Sequence, residues 1–152
     1  MTARDTDTGR LVAPDTHARQ HAQVRQAHQT ELIEDYVELI ADLIDAKGEA
    51  RAVEVARRLG VSQGTVGKML TRLREHGLIE TEPYRAIFLT DEGRRVAGAS
   101  RERHAIVLRF LRALGIPEET ARLDAEGIEH HVSEETLAAF RAMAERLEWG
   151  GA

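Results

Sequence analysis

Between Thr30 and Gly48 the apolar residues Leu32, Ile33, Tyr36, Val37, Leu39, Ile40, Leu43 and Ile44 recur at spacings of three and four. That period predicts a helix with a broad apolar face, closed by Lys47 and Gly48. Ala52, Val55, Ala56 and Leu59 repeat the pattern over a shorter stretch. Gly60 and Val61 then make a tight turn, and Ser62 is placed to cap a second short helix. Its inner face is Val66, Met69, Leu70 and Leu73, and Gly77 ends it. Two short helices joined by a glycine-containing turn describe a helix-turn-helix. Two short strands follow, Leu78–Thr81 and Ala86–Thr90, around a Pro83-Tyr84-Arg85 tip. A hairpin in that place makes the unit a winged helix-turn-helix.

From Asp91 to Leu114 the helical period returns, with Thr90 or Asp91 as cap and Gly115 as terminator. Val96, His104, Val107, Leu108, Leu111 and Leu114 form its apolar or half-buried stripe. Pro117 opens a further helix, where proline is tolerated. Ser133 caps a last one, with Leu137, Phe140, Ala144 and Leu147 on one face. Residues 1–28 are polar, lack either period and read as a disordered N-terminal arm. His17, His21 and His28 lie in this arm and read first as solvated polar residues, with weak metal binding as the alternative. The expected fold is mainly α. A winged helix-turn-helix at 29–98 precedes an α-helical domain at 99–152.

Composition narrows the class. Apolar content of 42% and charged content of 31% suit a soluble globular chain, with no run long enough to span a membrane. The first residues lack the apolar core of a signal peptide. The absence of cysteine excludes disulfides, favours a cytoplasmic setting and leaves only oxygen and imidazole nitrogen to hold a metal. The net charge of −5 argues weakly against nucleic acid, but its distribution argues for it. From Ala50 to Arg103 there are 11 Lys/Arg and 7 Asp/Glu, net +4; the remainder has 10 and 19, net −9.

In a helix-turn-helix the second helix enters the major groove. Its outer face carries Gln63, Thr65, Lys68, Thr71 and Arg72, with Ser62 at its N-terminal end. Lys68 and Arg72 suit phosphate or guanine, and Arg85 at the wing tip suits the minor groove or backbone. Gly64 and Gly67 each cost that helix up to ~1 kcal/mol against alanine. Either tertiary packing compensates, or DNA needs close access to the backbone there.

The segment EGIEHH, residues 126–131, places Glu126, Glu129 and His130 at i, i+3 and i+4, on one face if helical. Taken alone, this is equally a ligand set or a solvated acidic face. Asp35 and Glu38 form a second i, i+3 pair, beside the apolar stripe of the first helix. His104 sits on the stripe of the long helix, where a lone histidine is more often a core residue. A winged helix preceded by EDYVELI and followed by RERH and DAEGIEHH resembles the manganese transport regulators, a branch of the diphtheria-toxin-repressor-like metalloregulators. The resemblance spans about residues 30–148.

It implies that residues 29–98 are a DNA-binding domain and 99–152 a dimerisation and metal-binding domain, and that Asp35, Glu38, His104, Glu126, Glu129 and His130 ligate two Mn²⁺ per chain between them. It also implies a cytoplasmic homodimer that binds double-stranded operator DNA and regulates, mainly represses, manganese homeostasis genes, with no organic cofactor. Iron-responsive relatives carry softer sulfur ligands at the positions matching Asp35 and Glu126; here both are carboxylates, which suit Mn²⁺. Fe²⁺, Co²⁺, Zn²⁺ or Cd²⁺ can bind such a site in vitro, so an iron-responsive or broad divalent-metal repressor is the alternative. The chain ends near Trp149, so the SH3-like third domain of some relatives is expected to be absent. A di-metal carboxylate enzyme would need Glu-x-x-His motifs. Gly127 and Arg101 stand where those glutamates belong, so an enzyme is not expected.

Overall fold

The computed structural model of the chain describes residues 11–82 and 85–151. Six helices and a two-stranded antiparallel ribbon run in the order α1 (Pro14–Lys47), α2 (Ala52–Leu59), α3 (Gln63–Glu75), β1 (Ile79–Glu80), β2 (Phe88–Leu89), α4 (Asp91–Ala113), α5 (Glu118–Ile128) and α6 (Glu134–Gly150). The punctuation legible in the sequence is the punctuation of the fold. Gly48, Gly60, Gly77 and Gly115 all take positive φ after helices, and Ser62, Thr90 and Ser133 cap α3, α4 and α6 through their side-chain oxygens.

Two differences have local causes. Helix α1 begins at Pro14, so residues 14–28 of the expected disordered arm are helical. These residues include strong helix formers, Ala18, Ala22, Ala27, Gln20, Gln23, Gln26, Arg19 and Arg25, and open with Pro14 in the first turn. All but Thr16, His17 and Ala27 are exposed, so the helix has no apolar stripe to betray it. Residues 1–10 lie outside the described residues. The strands are shorter than expected, with Ile79 opposite Leu89 and Glu80 opposite Phe88. Ile87 instead pairs with Ala50 in an isolated bridge, tying the wing to the loop before α2. Two wing-tip residues, Pro83 and Tyr84, also lie outside the description.

Two apolar cores result. The first gathers Val37, Ile40, Val55, Val66, Leu73, Ile79, Ile87 and Ala97. The second gathers Val107, Leu108, Leu111, Ala121, Ala125 and Leu137, with Phe110 stacked on Phe140 at a centroid distance of 4.2 Å. Helix α4 contributes to both, so the boundary expected at residues 98 and 99 falls inside one continuous helix. Its start is locked to the wing. Thr90 Oγ1 donates to Gly77 O at 2.6 Å and accepts from Gly93 N at 3.0 Å. A Cβ on Gly93 would meet Leu78 O at 2.0 Å, so only glycine lets α4 approach the wing this closely.

Gly93→Ala should therefore destabilise the fold by about 1–3 kcal/mol. Gly98→Ala, on the same helix with nothing within 4 Å of its added Cβ, should stabilise it by up to ~1 kcal/mol. Urea midpoints of the two variants should move in opposite directions.

Candidate metal centre

The carboxylates and imidazoles singled out in the sequence converge where α1, α4 and the turn after α5 meet. Helix α5 ends at Ile128; Glu129 is its C-cap and His130 and His131 lie in the following turn, so EGIEHH is only partly helical. Glu129 keeps αR dihedrals and donates its N–H to Ala125 O at 3.1 Å, which holds it near the helical register with Glu126. That turn is held from behind by Arg103. Its guanidinium donates to Glu129 O at 2.9 and 2.7 Å and to Val132 O at 2.7 Å, and its Nη1 stands 3.0 Å from Glu134.

Glu129 is the centre of the arrangement, with only 1% of its surface exposed. Its Oε2 stands 3.2 Å from His104 Nδ1, and Oε1 stands 3.4 Å from His130 Nε2. Neither approach is a well-formed hydrogen bond, and Oε2 is buried without a partner. Burial, and the charges of Glu126, Glu38 and Asp35 in opposition to that of His130, push its carboxyl up to about 8. Around it lie two donor groups. His104, Glu126 and Glu129 form one; Asp35 and His130, joined by Glu31, form the other, the donor atoms of each lying within 4.8 Å of one another. His104 Nδ1 is 3.6 Å from Glu126 Oε1, and His130 Nε2 is 3.1 Å from Asp35 Oδ1.

Five of the six expected ligands thus enter a donor group. Glu38 stands outside both: its Oε2 accepts from Ser100 Oγ at 2.7 Å. Sequence reasoning missed Glu31, Glu34, Ser100 and Arg103. Glu34 Oε2 is 2.8 Å from His130 Nδ1 and fixes the ring with Nε2 turned towards Asp35. Burial works against a charged His130, but hydrogen bonds to Asp35 and Glu34 outweigh it and raise the imidazole to about 10. The residues fit a divalent cation. In the forms that bind metal, ionised Asp35, Glu38, Glu126 and Glu129 with neutral His104 and His130 carry four negative charges, and an unpartnered buried oxygen faces the group.

At the other end, Ser62, Gln63, Thr65, Lys68, Thr71 and Arg72 are all exposed along the outer face of α3. Arg85 is exposed at the wing and pairs with Glu82 at 3.0 Å. A groove of about 450 Å³ separates α3 from the wing, lined among others by Gln63, Thr71, Arg85, Arg51 and Arg74, the last two missed in the sequence. A Cβ on Gly64 would meet only Ser62 Oγ at 3.8 Å, and one on Gly67 nothing within 4 Å. Packing inside this chain is therefore not what excludes side chains there.

Residues 28–87 match the iron dependent repressor family's N-terminal DNA binding domain, and residues 90–148 its metal binding and dimerisation domain. Transcriptional regulator MntR of Escherichia coli O157:H7 is 60% identical over 136 residues, 90% of this chain and 88% of the relative. The chain belongs to the manganese transport regulator branch of this family. HTH-type transcriptional regulator MntR of Geobacillus kaustophilus is 40% identical over 68% of this chain and 74% of its own length. A solved manganese-dependent transcriptional repressor in complex with manganese superposes with a TM-score of 0.67 at 31% identity, covering 74% of this chain. The regulator described here spans about half of that structure's chain, 52%.

Two substitutions separate the roles in the centre. Glu34→Gln, beside His130, should weaken divalent-metal affinity by ~10–100-fold. Glu129→Gln should weaken it further, yet raise the thermal midpoint of the metal-free chain, because it removes a buried and repelled carboxylate. Calorimetric melting in chelator and metal titration of each variant check both; a lowered metal-free midpoint for Glu129→Gln contradicts the second.

Proposed function

We propose that this chain is a Mn²⁺-dependent DNA-binding transcriptional regulator, mainly a repressor, of manganese homeostasis genes. The observation that carries the reading is Glu129, a buried carboxylate with one unpartnered oxygen between two imidazoles, at the seam of the DNA-binding and dimerisation units. Family membership and the manganese-regulator relatives support the same conclusion. The chain acts through binding; it is not read as an enzyme. Among the described residues no helix is long and apolar enough to cross a membrane.

The proposed ligands are Asp35, Glu38, His104, Glu126, Glu129 and His130. Two donor groups, one holding Glu129 and the other reaching within 3.4 Å of it through His130, support two ions per chain. Mn²⁺ suits the oxygen-rich donors, while Co²⁺, Zn²⁺ and Cd²⁺ bind such donors in vitro. A bound divalent ion supplies the positive charge that this cluster lacks. With that charge present, Asp35 and Glu38 are drawn from α1 towards His104 on α4 and Glu126, Glu129 and His130 at the end of α5. Without it, mutual repulsion loosens α1 against them. Helix α1 also packs in the first core, so its seating sets the tilt of the winged helix on the second unit. Leu114, Leu123, Met143, Leu147 and Trp149 are exposed apolar residues on or beside α4, α5 and α6 and support a homodimer through that unit. In a two-fold dimer, seating then fixes the separation of two α3 helices against groove positions ~34 Å apart or a multiple of it.

On the DNA, Ser62, Gln63 and Thr65 are the proposed base readers, and Lys68, Thr71, Arg72 and Arg85 the base or phosphate contacts. Gly64 and Gly67 leave the same face open to close approach by the duplex, which favours the second explanation of their presence.

Fluorescence anisotropy with promoter DNA tests the switch. Mn²⁺ should tighten binding by ~5–150-fold over chelator, and Glu126→Ala should abolish the difference. Equal affinity with and without Mn²⁺ sinks the reading, and activation by Fe²⁺ but not Mn²⁺ transfers it to iron. In a second experiment, Lys68→Ala and Arg72→Ala should each reduce the slope of log affinity against log salt by about 1 if they hold phosphates. An unchanged slope with altered sequence preference reassigns them to bases.

A further inference from the structure

Three side chains outside the proposed six come together at the surface beside the main centre. His28 and Glu31 project from successive turns of α1, and His131 follows His130 in the turn after α5. Glu31 Oε2 lies 3.5 Å from His28 Nδ1 and 3.2 Å from His131 Nε2, and the two imidazole centroids are 5.4 Å apart at a near-perpendicular 74°. The donor atoms of the three residues all lie within 4.8 Å of one another. The part of α1 that brings His28 here is largely solvated, so apolar burial does little to hold it against the α5–α6 turn. The contact is made by metal-ligating groups instead.

We propose that His28, Glu31 and His131 form a second, surface site for a borderline divalent cation of the Zn²⁺ class, next to the main centre, whose Asp35 and His130 Glu31 also approaches. The donor set decides the class. The main centre offers four carboxylates and two imidazoles, whereas this one offers two imidazoles and one carboxylate. Nitrogen-rich donors favour Zn²⁺, Co²⁺ or Ni²⁺ over Mn²⁺, whose affinity for a given site is the lowest of the first-row divalent ions. Three protein ligands on an exposed surface leave the remaining position to water. The side chains of His28 and His131 are 64% and 38% exposed, so the ion enters from solvent without opening the core. The consequence is mechanical as well as chemical. An ion here pins α1 to the α5–α6 turn at a second point, so a metal other than the effector can bias the same seating.

The test counts ions in the full-length chain. Zn²⁺ is measured by competition with a chromophoric chelator, and Mn²⁺ by electron paramagnetic resonance of the free ion. Zn²⁺ should exceed Mn²⁺ by one ion per chain in the unsubstituted protein. His28→Ala, which changes only an exposed helical position outside both main donor groups, should remove the extra Zn²⁺ and leave Mn²⁺ binding unchanged. The double variant His17→Ala/His21→Ala should retain it, which separates this site from the nearby pair whose rings are 5.8 Å apart. Equal Zn²⁺ and Mn²⁺ counts overturn the proposal, as does extra Zn²⁺ that survives His28→Ala or disappears with His17 and His21. Failure of the main centre reads differently, as absent Mn²⁺ binding with the Zn²⁺ difference between the intact chain and His28→Ala still measurable.

Discussion

The Glu129 carboxylate is almost sealed from water and shares its neighbourhood with three more acidic groups, and the rest of the arrangement answers to that constraint. A buried carboxylate with an unpaired oxygen carries a cost of several kcal/mol unless a cation or a set of donors meets it. The chain could have supplied an arginine. It does supply one nearby, but Arg103 spends its guanidinium on the carbonyls of Glu129 and Val132 and on Glu134. Positive charge is thus kept behind the turn rather than inside the cluster. The carboxylates face imidazoles, and hydrogen bonds to Asp35 and Glu34 raise His130 against the pull of burial.

That local arrangement reaches the DNA-binding surface because few joints intervene. Helix α1 joins the first core through Val37 and Ile40 and the candidate centre through Asp35 and Glu34, within a turn or two of one helix. Helix α4 runs from the wing junction at Thr90 and Gly93, past Ser100 and His104, into the second core. Arg101 adds a bridge to Asp42 and Asp45 of α1 at 2.5 and 3.0 Å, outside the acidic cluster. Two helices with residues in both the packing and the chemistry make movement between them a natural variable for a bound charge to control.

Much of this was legible in the sequence, for physical reasons that differ by element. The helix-turn-helix was readable because its signals are local: an apolar face, Gly60 in the left-handed region, Ser62 accepting from Thr65. Glu126 and Glu129 were readable because helical spacing brings them together within a turn, whereas Glu38, at the same spacing from Asp35, turns to Ser100 instead. Other features depend on separation in sequence and leave no period. Glu34 meets His130 across 96 residues, and Arg103 meets Glu129 across 26. Leu32 shows the opposite failure, since it fits the apolar pattern of α1 but is 47% exposed. The start of α1 was hidden because intrinsic propensity, not burial, makes residues 14–28 helical.

The length of α1 has one more consequence. From Pro14 to Glu34 the helix is ~30 Å long at 1.5 Å per residue, and its apolar packing lies beyond that span except for Ile33. A tilt about the acidic cluster would sweep this span like an indicator needle. Each degree of tilt there carries the far end through ~0.5 Å over that reach. A readjustment too small to disturb the first core is written at Pro14 as a displacement several times larger.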